Sequence, residues 1–200
     1  MDKDSRRKLI EAAIPLFAEK GYAAVSIREL AAAAQVNSAL ITYHFGGKEG
    51  LYRAVLEDQF TQIVELFSKK TFSDLSPAEK IRESAQDMIE FQSRNPFFRK
   101  LLFGELSHTT PSFEGILRDY SFRLYRLFHE TLETGIAQGE FRQDLNSSYA
   151  LFAILGMVSY YFIAHSVIEK AVPELRLDDH IFEEQAVEMI FCGINENKTK

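Results

Sequence analysis

Residues 37–48 read Asn-Ser-Ala-Leu-Ile-Thr-Tyr-His-Phe-Gly-Gly-Lys. The side chains here that can do chemistry are hydrogen-bonding groups (Asn37, Ser38, Thr42, Tyr43, His44) and one cation, Lys48. That set looks like a recognition surface rather than a catalytic site. On a short helix from Ser38 to about Phe45, Leu40, Ile41 and Phe45 turn inward. Ser38, Ala39, Thr42 and Tyr43 then turn outward. A helix whose outer face carries only small or polar residues brings its backbone close to a groove, as the second helix of a helix-turn-helix does in the DNA major groove.

Such a helix needs neighbours to hold it. Ser26-Ile27-Arg28-Glu29 has the spacing of a capping box, in which Ser26 caps the amides and Glu29 reaches back. Val25 and Leu30 occupy the two staple positions. The helix they open runs to about Ala34, and Ala31 to Ala34 leave room for another helix to cross closely. Gln35, Val36 and Asn37 form a tight connection, and Asn37 is placed to cap the next helix. Gly46 and Gly47 end that helix. Lys48 begins a long one with Leu51, Val55, Phe60, Ile63, Val64 and Phe67 as its apolar members. Upstream, Ile10, Ala13, Ile14 and Phe17 share a face of a helix from about Asp4 to Lys20. Pro15 should bend that helix, and Gly21 should terminate it.

With these residues in place, the first 55 residues resemble the DNA-binding head of the TetR family of bacterial transcriptional regulators. The stretches that carry the resemblance are AAIPLFAEKGYAAVSIRELAAAAQV and NSALITYHFGGKEGLYRAVL. The resemblance implies an all-α fold of about nine helices. A three-helix helix-turn-helix DNA-binding domain would cover 1–47, and an effector-binding and dimerisation domain 48–200. Carried over, the DNA-binding residues are Ser26, Asn37, Ser38, Ala39, Thr42, Tyr43, His44 and Lys48. Ser26 and Tyr43 would bond backbone phosphates, the former aided by a helix N-terminus. Lys48 would neutralise a phosphate and His44 would add a bond. Ser38, Ala39 and Thr42 would meet base edges. Two positions depart from the family pattern. Gln35 stands where the turn usually has glycine, which costs roughly 1 kcal/mol in a left-handed conformation. Thr42 stands where many members have tyrosine.

The rest of the chain also reads as helical. Ser76-Pro77-Ala78-Glu79 is a second capping box, opening a helix to about Arg94. Asn95-Pro96, Thr109-Thr110-Pro111 and Gly139 punctuate the following helices. Asn146 caps the next, Pro173 ends it, and a last helix spans about 178–194. The tail Asn-Glu-Asn-Lys-Thr-Lys should fray. The segment 149–168 is apolar and 20 residues long, enough to span a bilayer. Its Ser159, Tyr160, Tyr161, His165 and Ser166 favour instead a helix buried on nearly all sides.

Composition bounds the function. Residues 1–50 carry seven Lys/Arg against six Asp/Glu, and the remainder 16 against 23, within a net charge of −6. A near-neutral head on an acidic body is compatible with DNA binding. Cys192 is the only cysteine, which excludes an internal disulfide and multi-cysteine zinc sites and fits a cytoplasmic protein. The N-terminus lacks the apolar run of a signal peptide. Catalytic motifs are absent, so an enzyme is disfavoured, and no metal or cofactor is expected. Met88, Phe91, Phe98, Tyr120, Tyr160, Tyr161 and His165 mix apolar bodies with polar tips, as a small-molecule pocket does, although core packing explains them equally. The resemblance implies an effector cavity there and a homodimer through the last two helices. The expected function is a ligand-responsive regulator, a repressor that binds a palindromic operator as a dimer and is released by a small apolar or aromatic effector. Its partners would be double-stranded operator DNA and that effector, with no membrane. The alternative is a small-molecule or lipid-binding protein on the same fold without DNA function.

Overall fold

The structure, a computed structural model, describes residues 2–69, 74–172 and 174–195. The chain is all-α. In order come α1 (Asp2–Ala24), α2 (Ile27–Ala33), α3 (Ala39–Phe45), α4 (Lys48–Lys69), α5 (Pro77–Arg94), α6 (Pro96–Ser107), α7 (Pro111–Gln138), α8 (Ser147–Ala171) and α9 (Asp179–Ile194). No strand occurs among the described residues, where Phe141 and Asn195 form an isolated bridge. The expected helix end at Pro173 and the tail beyond Asn195 lie outside the described residues.

The punctuation follows local chemistry. Gly21 breaks α1 with φ 78° and ψ 160°, so the helical geometry ends where a residue without Cβ permits it. Ser26 Oγ accepts from the Glu29 amide at 3.2 Å. The Glu29 carboxylate, expected to return to Ser26, pairs chiefly with Lys20, and that ion pair holds it below the usual carboxylate range. At Ser76 both halves of the capping box form: Glu79 N–H donates to Ser76 Oγ at 3.3 Å and Ser76 N–H to the Glu79 carboxylate at 2.8 Å. Asn146 and Asp178 cap α8 and α9 through their side chains.

Gln35 is left-handed, with φ 54°, and is the one non-glycine residue with positive φ among the described residues. The Gln35 and Val36 amides donate to the Ala32 and Ala31 carbonyls at 3.1 and 3.0 Å. This pairing is a Schellman motif with glutamine at the position that favours glycine.

Packing divides the chain into two compact units. The first gathers the described residues of Met1–Ile63 and Pro96–Ser121, the second those of Val64–Asn95 and Phe122–Lys200. In the first, α1 packs on α2, α3 and α6. Phe17, Tyr22 and Tyr52 form an aromatic cluster with ring centroids 4.8–6.2 Å apart, and Phe60 meets Phe98 and Phe113. Glu105 is buried among these apolar groups, and its carboxylate accepts from three donors: Tyr52 Oη at 2.5 Å, Thr110 N–H at 2.7 Å and Thr110 Oγ1 at 2.9 Å. It thereby ties α4 to the α6–α7 corner. Burial first, and then the neighbouring carboxylate, push the Tyr52 hydroxyl well above the usual range.

In the second unit α5 packs against α8 and α9. Gln92 donates to Ser159, and Ser93 and Tyr161 both donate to Asp179. The expectation that α8 is buried nearly all round is corrected here. Leu151, Ile154, Val158 and Phe162 pack inward, but Tyr149, Phe152 and Tyr160 on the opposite face are 78, 72 and 68% exposed. The apolar window Ser147–His165 is long and apolar enough to cross a membrane, yet only 22% of it is buried. On α9, Ile181 and Met189 are likewise exposed. The apolar content of both helices exceeds what one chain covers.

Two stability changes follow. Gln35→Gly relieves the left-handed strain against a smaller gain in unfolded-chain entropy, and should stabilise the protein by about 0.5–1 kcal/mol in urea unfolding. Glu105→Ala strips the acceptor from the buried Tyr52 hydroxyl and the Thr110 amide and should cost roughly 2–4 kcal/mol in the same measurement, with Glu105→Gln costing less.

Candidate nucleic-acid interface

The recognition surface is built on α3, seven residues long. Ile41 is fully buried and Leu40 and Phe45 are half-buried, so one side of the helix is fixed to the unit beneath it. Phe45, expected to turn inward, is half-buried, and the Arg6 guanidinium lies 5.2 Å from its ring centroid. Asn37 Oδ1 accepts from the Ala39 amide at 2.8 Å and caps the helix from one position before Ser38. Gly46, with φ 75°, closes the other end and donates to the Thr42 carbonyl at 2.9 Å.

Sequence reasoning did not single out Gly50. A Cβ placed there would lie 1.8 Å from the Phe45 carbonyl oxygen, so α4 crosses the end of α3 with no space for any side chain. A third glycine following Gly-Gly-Lys-Glu was the available signal.

The outward positions are open. Ser26, Asn37, Ser38, Ala39 and Thr42 are exposed, and Tyr43 is 71% exposed. The two caps retain donors: Ser26 accepts through oxygen and keeps its hydroxyl hydrogen, and Asn37 keeps its NH2 group.

His44 and Lys48 are engaged within the unit. His44 Nε2 lies 3.0 Å from Ser5 Oγ, and its ring stands edge-on to Tyr43 and Phe45. Lys48 Nζ sits 4.5 Å from the Tyr22 ring centroid and 3.4 Å from the Ala23 carbonyl, at the α1–α2 connection. Arg6 and Arg7 belong to the first turns of α1. Arg6 covers Phe45, and Arg7 pairs with Glu11 at 2.7 Å and Asp58 at 2.9 Å.

The residues proposed for an effector pocket scatter. Phe98 packs on Phe60, and Tyr120 shares a 2.9 Å hydrogen bond with Thr61, both in the first unit. In the second, Tyr161 stacks on Phe182 at 3.7 Å and on His165 at 5.2 Å, and donates to Asp179. Phe91 is half-buried, with its carbonyl accepting from Asn95, and Tyr160 faces outward. Met88 lines a small apolar void with Ile154 and Val158. A larger cavity of about 720 Å³ opens between the end of α4, the start of α5 and the middle of α7. Val64, Phe67, Ile81 and Phe128 form its apolar wall, and Lys80 and Arg123 stand at its edge. These two cations lie on helices far apart in the chain, and no local sequence pattern marks them.

Residues 9–55 match the model of the bacterial regulatory proteins of the tetR family, and residues 74–162 that of the tetracyclin repressor-like C-terminal domain. The HTH-type transcriptional repressor NicS of Pseudomonas putida is 26% identical over 164 residues, 78% of this chain and 75% of its own length. The HTH-type transcriptional repressor AcnR of Corynebacterium glutamicum is 25% identical over 143 residues, 71% of either chain. The solved structure of AibR in complex with isovaleryl coenzyme A and operator DNA superposes with TM-score 0.78 at 22% identity, covering 94% of this chain and 98% of that one. The two family models together take in the exposed α3 surface and most of the helical body, and the chain belongs to the TetR family of bacterial regulatory proteins, as a DNA-binding transcriptional regulator.

Proposed function

We propose that this regulator is a repressor that binds a palindromic operator as a homodimer and leaves it when a small ligand occupies the second unit. The observation that carries the reading is the one-sided α3, with Ile41 fully buried behind an open row of Ser38, Ala39, Thr42 and Tyr43. Ser38, Ala39 and Thr42 meet base edges in the major groove. Ser26, Asn37 and Tyr43 donate to phosphates, and Lys48 supplies charge where its ammonium lies over Tyr22. His44 acts from behind, fixing α3 to α1 through Ser5, with a phosphate bond as its further role.

One seven-residue helix buries little surface on DNA, so two copies reading half-sites about 34–36 Å apart supply the affinity. The exposed apolar faces of α8 and α9 support a four-helix dimer interface, which covers Phe152, Tyr160, Ile181 and Met189. This accounts for the apolar window of α8 without a membrane. The functional division falls at 47/48, with the reader before it and the effector and dimer functions after it. Effector binding stabilises a state whose two heads no longer match successive grooves, and requires tighter binding to that state than to the DNA-competent one. The AibR complex with isovaleryl coenzyme A and operator DNA supports a regulator of this fold that meets both a ligand and DNA. A DNA partner and a single cysteine support a cytoplasmic protein.

Fluorescence anisotropy on the gene's own upstream region, across a salt series, tests the reading. Affinity should fall steeply with salt, and binding that is absent or indifferent to sequence would remove the operator function. Lys48→Ala should weaken binding to every sequence and lower the salt slope by about one for each protomer, whereas Thr42→Ala should change base preference and leave the slope intact. Tyr160→Glu should shift sedimentation from dimer to monomer and reduce operator affinity about tenfold or more.

A further inference from the structure

The cavity between α4, α5 and α7 has a charge pattern opposite to that of the chain around it. The chain carries a net charge of −6, yet the groove's edge is lined by Lys80, Arg123 and Arg126 against a single acid, Glu130. Glu130 is already taken by Arg126 at 3.2 Å. Among the described residues Lys80 and Arg123 have no ion-pair partner, so the edge holds two uncompensated positive charges. Beneath them the wall is apolar: Val64, Phe67, Ile81 and Phe128 are buried, with Phe67 and Phe128 edge to face at 5.2 Å. The volume of about 720 Å³ falls inside the range of roughly 300–1,000 Å³ usual for small-molecule sites.

The groove also has a direction. Ile81, Ser84 and Phe128 line both this cavity and the apolar void lined by Met88, Ile154 and Val158. That void holds only about 10 Å³, marginal for one water, and its lining other than Ser84 is apolar. Ile81, Ser84 and Phe128 are thus a shared partition between a charged mouth and a dry interior. A ligand suited to both ends has an anionic head and an apolar tail. A neutral aromatic would leave the two cations unanswered, and a hydrophilic anion would leave the apolar wall wet.

We propose that this groove binds an apolar chain carrying an anionic head, a carboxylate or a phosphate. The head pairs with Lys80 and Arg123, and the tail passes Phe128 toward Met88. As the ligand that releases DNA, this molecule rests on the repressor reading above; as a binding site, it does not.

Calorimetry on the full chain with decanoate, decyl phosphate and 1-decanol tests the site. At least one of the two anionic probes should bind tenfold or more tighter than decanol, and the better of the two names the head group. Lys80→Ala/Arg123→Ala should cut binding of that probe tenfold or more while leaving decanol within twofold. Both residues lie at the groove's edge, and unchanged thermal melting of the double variant confirms an intact fold. Shortening the better probe by one methylene should weaken binding about fourfold. Equal binding of decanol and both anions, an unaffected double variant, or no dependence on chain length overturns the site. Anisotropy with labelled operator separates the two readings. Anion binding with this signature but no loss of operator leaves the site standing and removes its role as the releasing ligand. Release that persists in the double variant overturns the site and leaves the regulator intact.

Discussion

A seven-residue helix does not hold itself together in water, because the first turn fixes more torsions than its hydrogen bonds repay. The recognition surface therefore depends on the packing that pins α3 from behind. Ile41 supplies the buried anchor, Gly46 the turn, and Gly50 the space that lets α4 pass against the Phe45 carbonyl. His44 ties the same helix to α1 through Ser5. These contacts are small, and they fix the orientation of every outward side chain. Glu105 extends the same logic along the first unit, where one buried carboxylate with three donors holds α4 against the α6–α7 corner.

Much of this was legible in the sequence, for a local reason. Caps, glycine stops and helix phase are written within four or five residues. The starts of α5, α8 and α9 were accordingly readable at Ser76, Asn146 and Asp178, whereas the left-handed turn at Gln35 was implied by the family resemblance, which puts glycine there. What escaped depends on chain-distant partners. Glu29 had the spacing to return to Ser26, but Lys20, brought near by the fold, took most of it. Arg7 meets Asp58 on α4 at 2.9 Å, a partner 51 residues away that no local pattern announces. That Lys80 and Arg123 line one groove has no local signature at all. α8 shows the limit of composition: its apolar content is real, but residue counts do not tell a face covered by the same chain from a face left open.

The two units answer different electrostatic problems. The head is close to neutral, and its cations are largely engaged: Arg7 with two carboxylates, Arg6 over Phe45, Lys8 with Asp4, Lys20 with Glu29. The second unit is acidic overall but concentrates unpaired cations at the mouth of one groove. Charge in this protein is thus placed by position, and the net figure of −6 describes neither surface.

The capping bonds at Ser26 and Asn37 make the head chemically polarised. Each spends an oxygen lone pair on its own backbone and leaves hydrogens facing outward. Most cations of the head are engaged in its own contacts, so on the proposed reading directed hydrogen bonds set its register on DNA. A hydrogen bond fixes a direction where a bare charge does not, so on the proposed reading this head would tolerate little misalignment with the groove it enters.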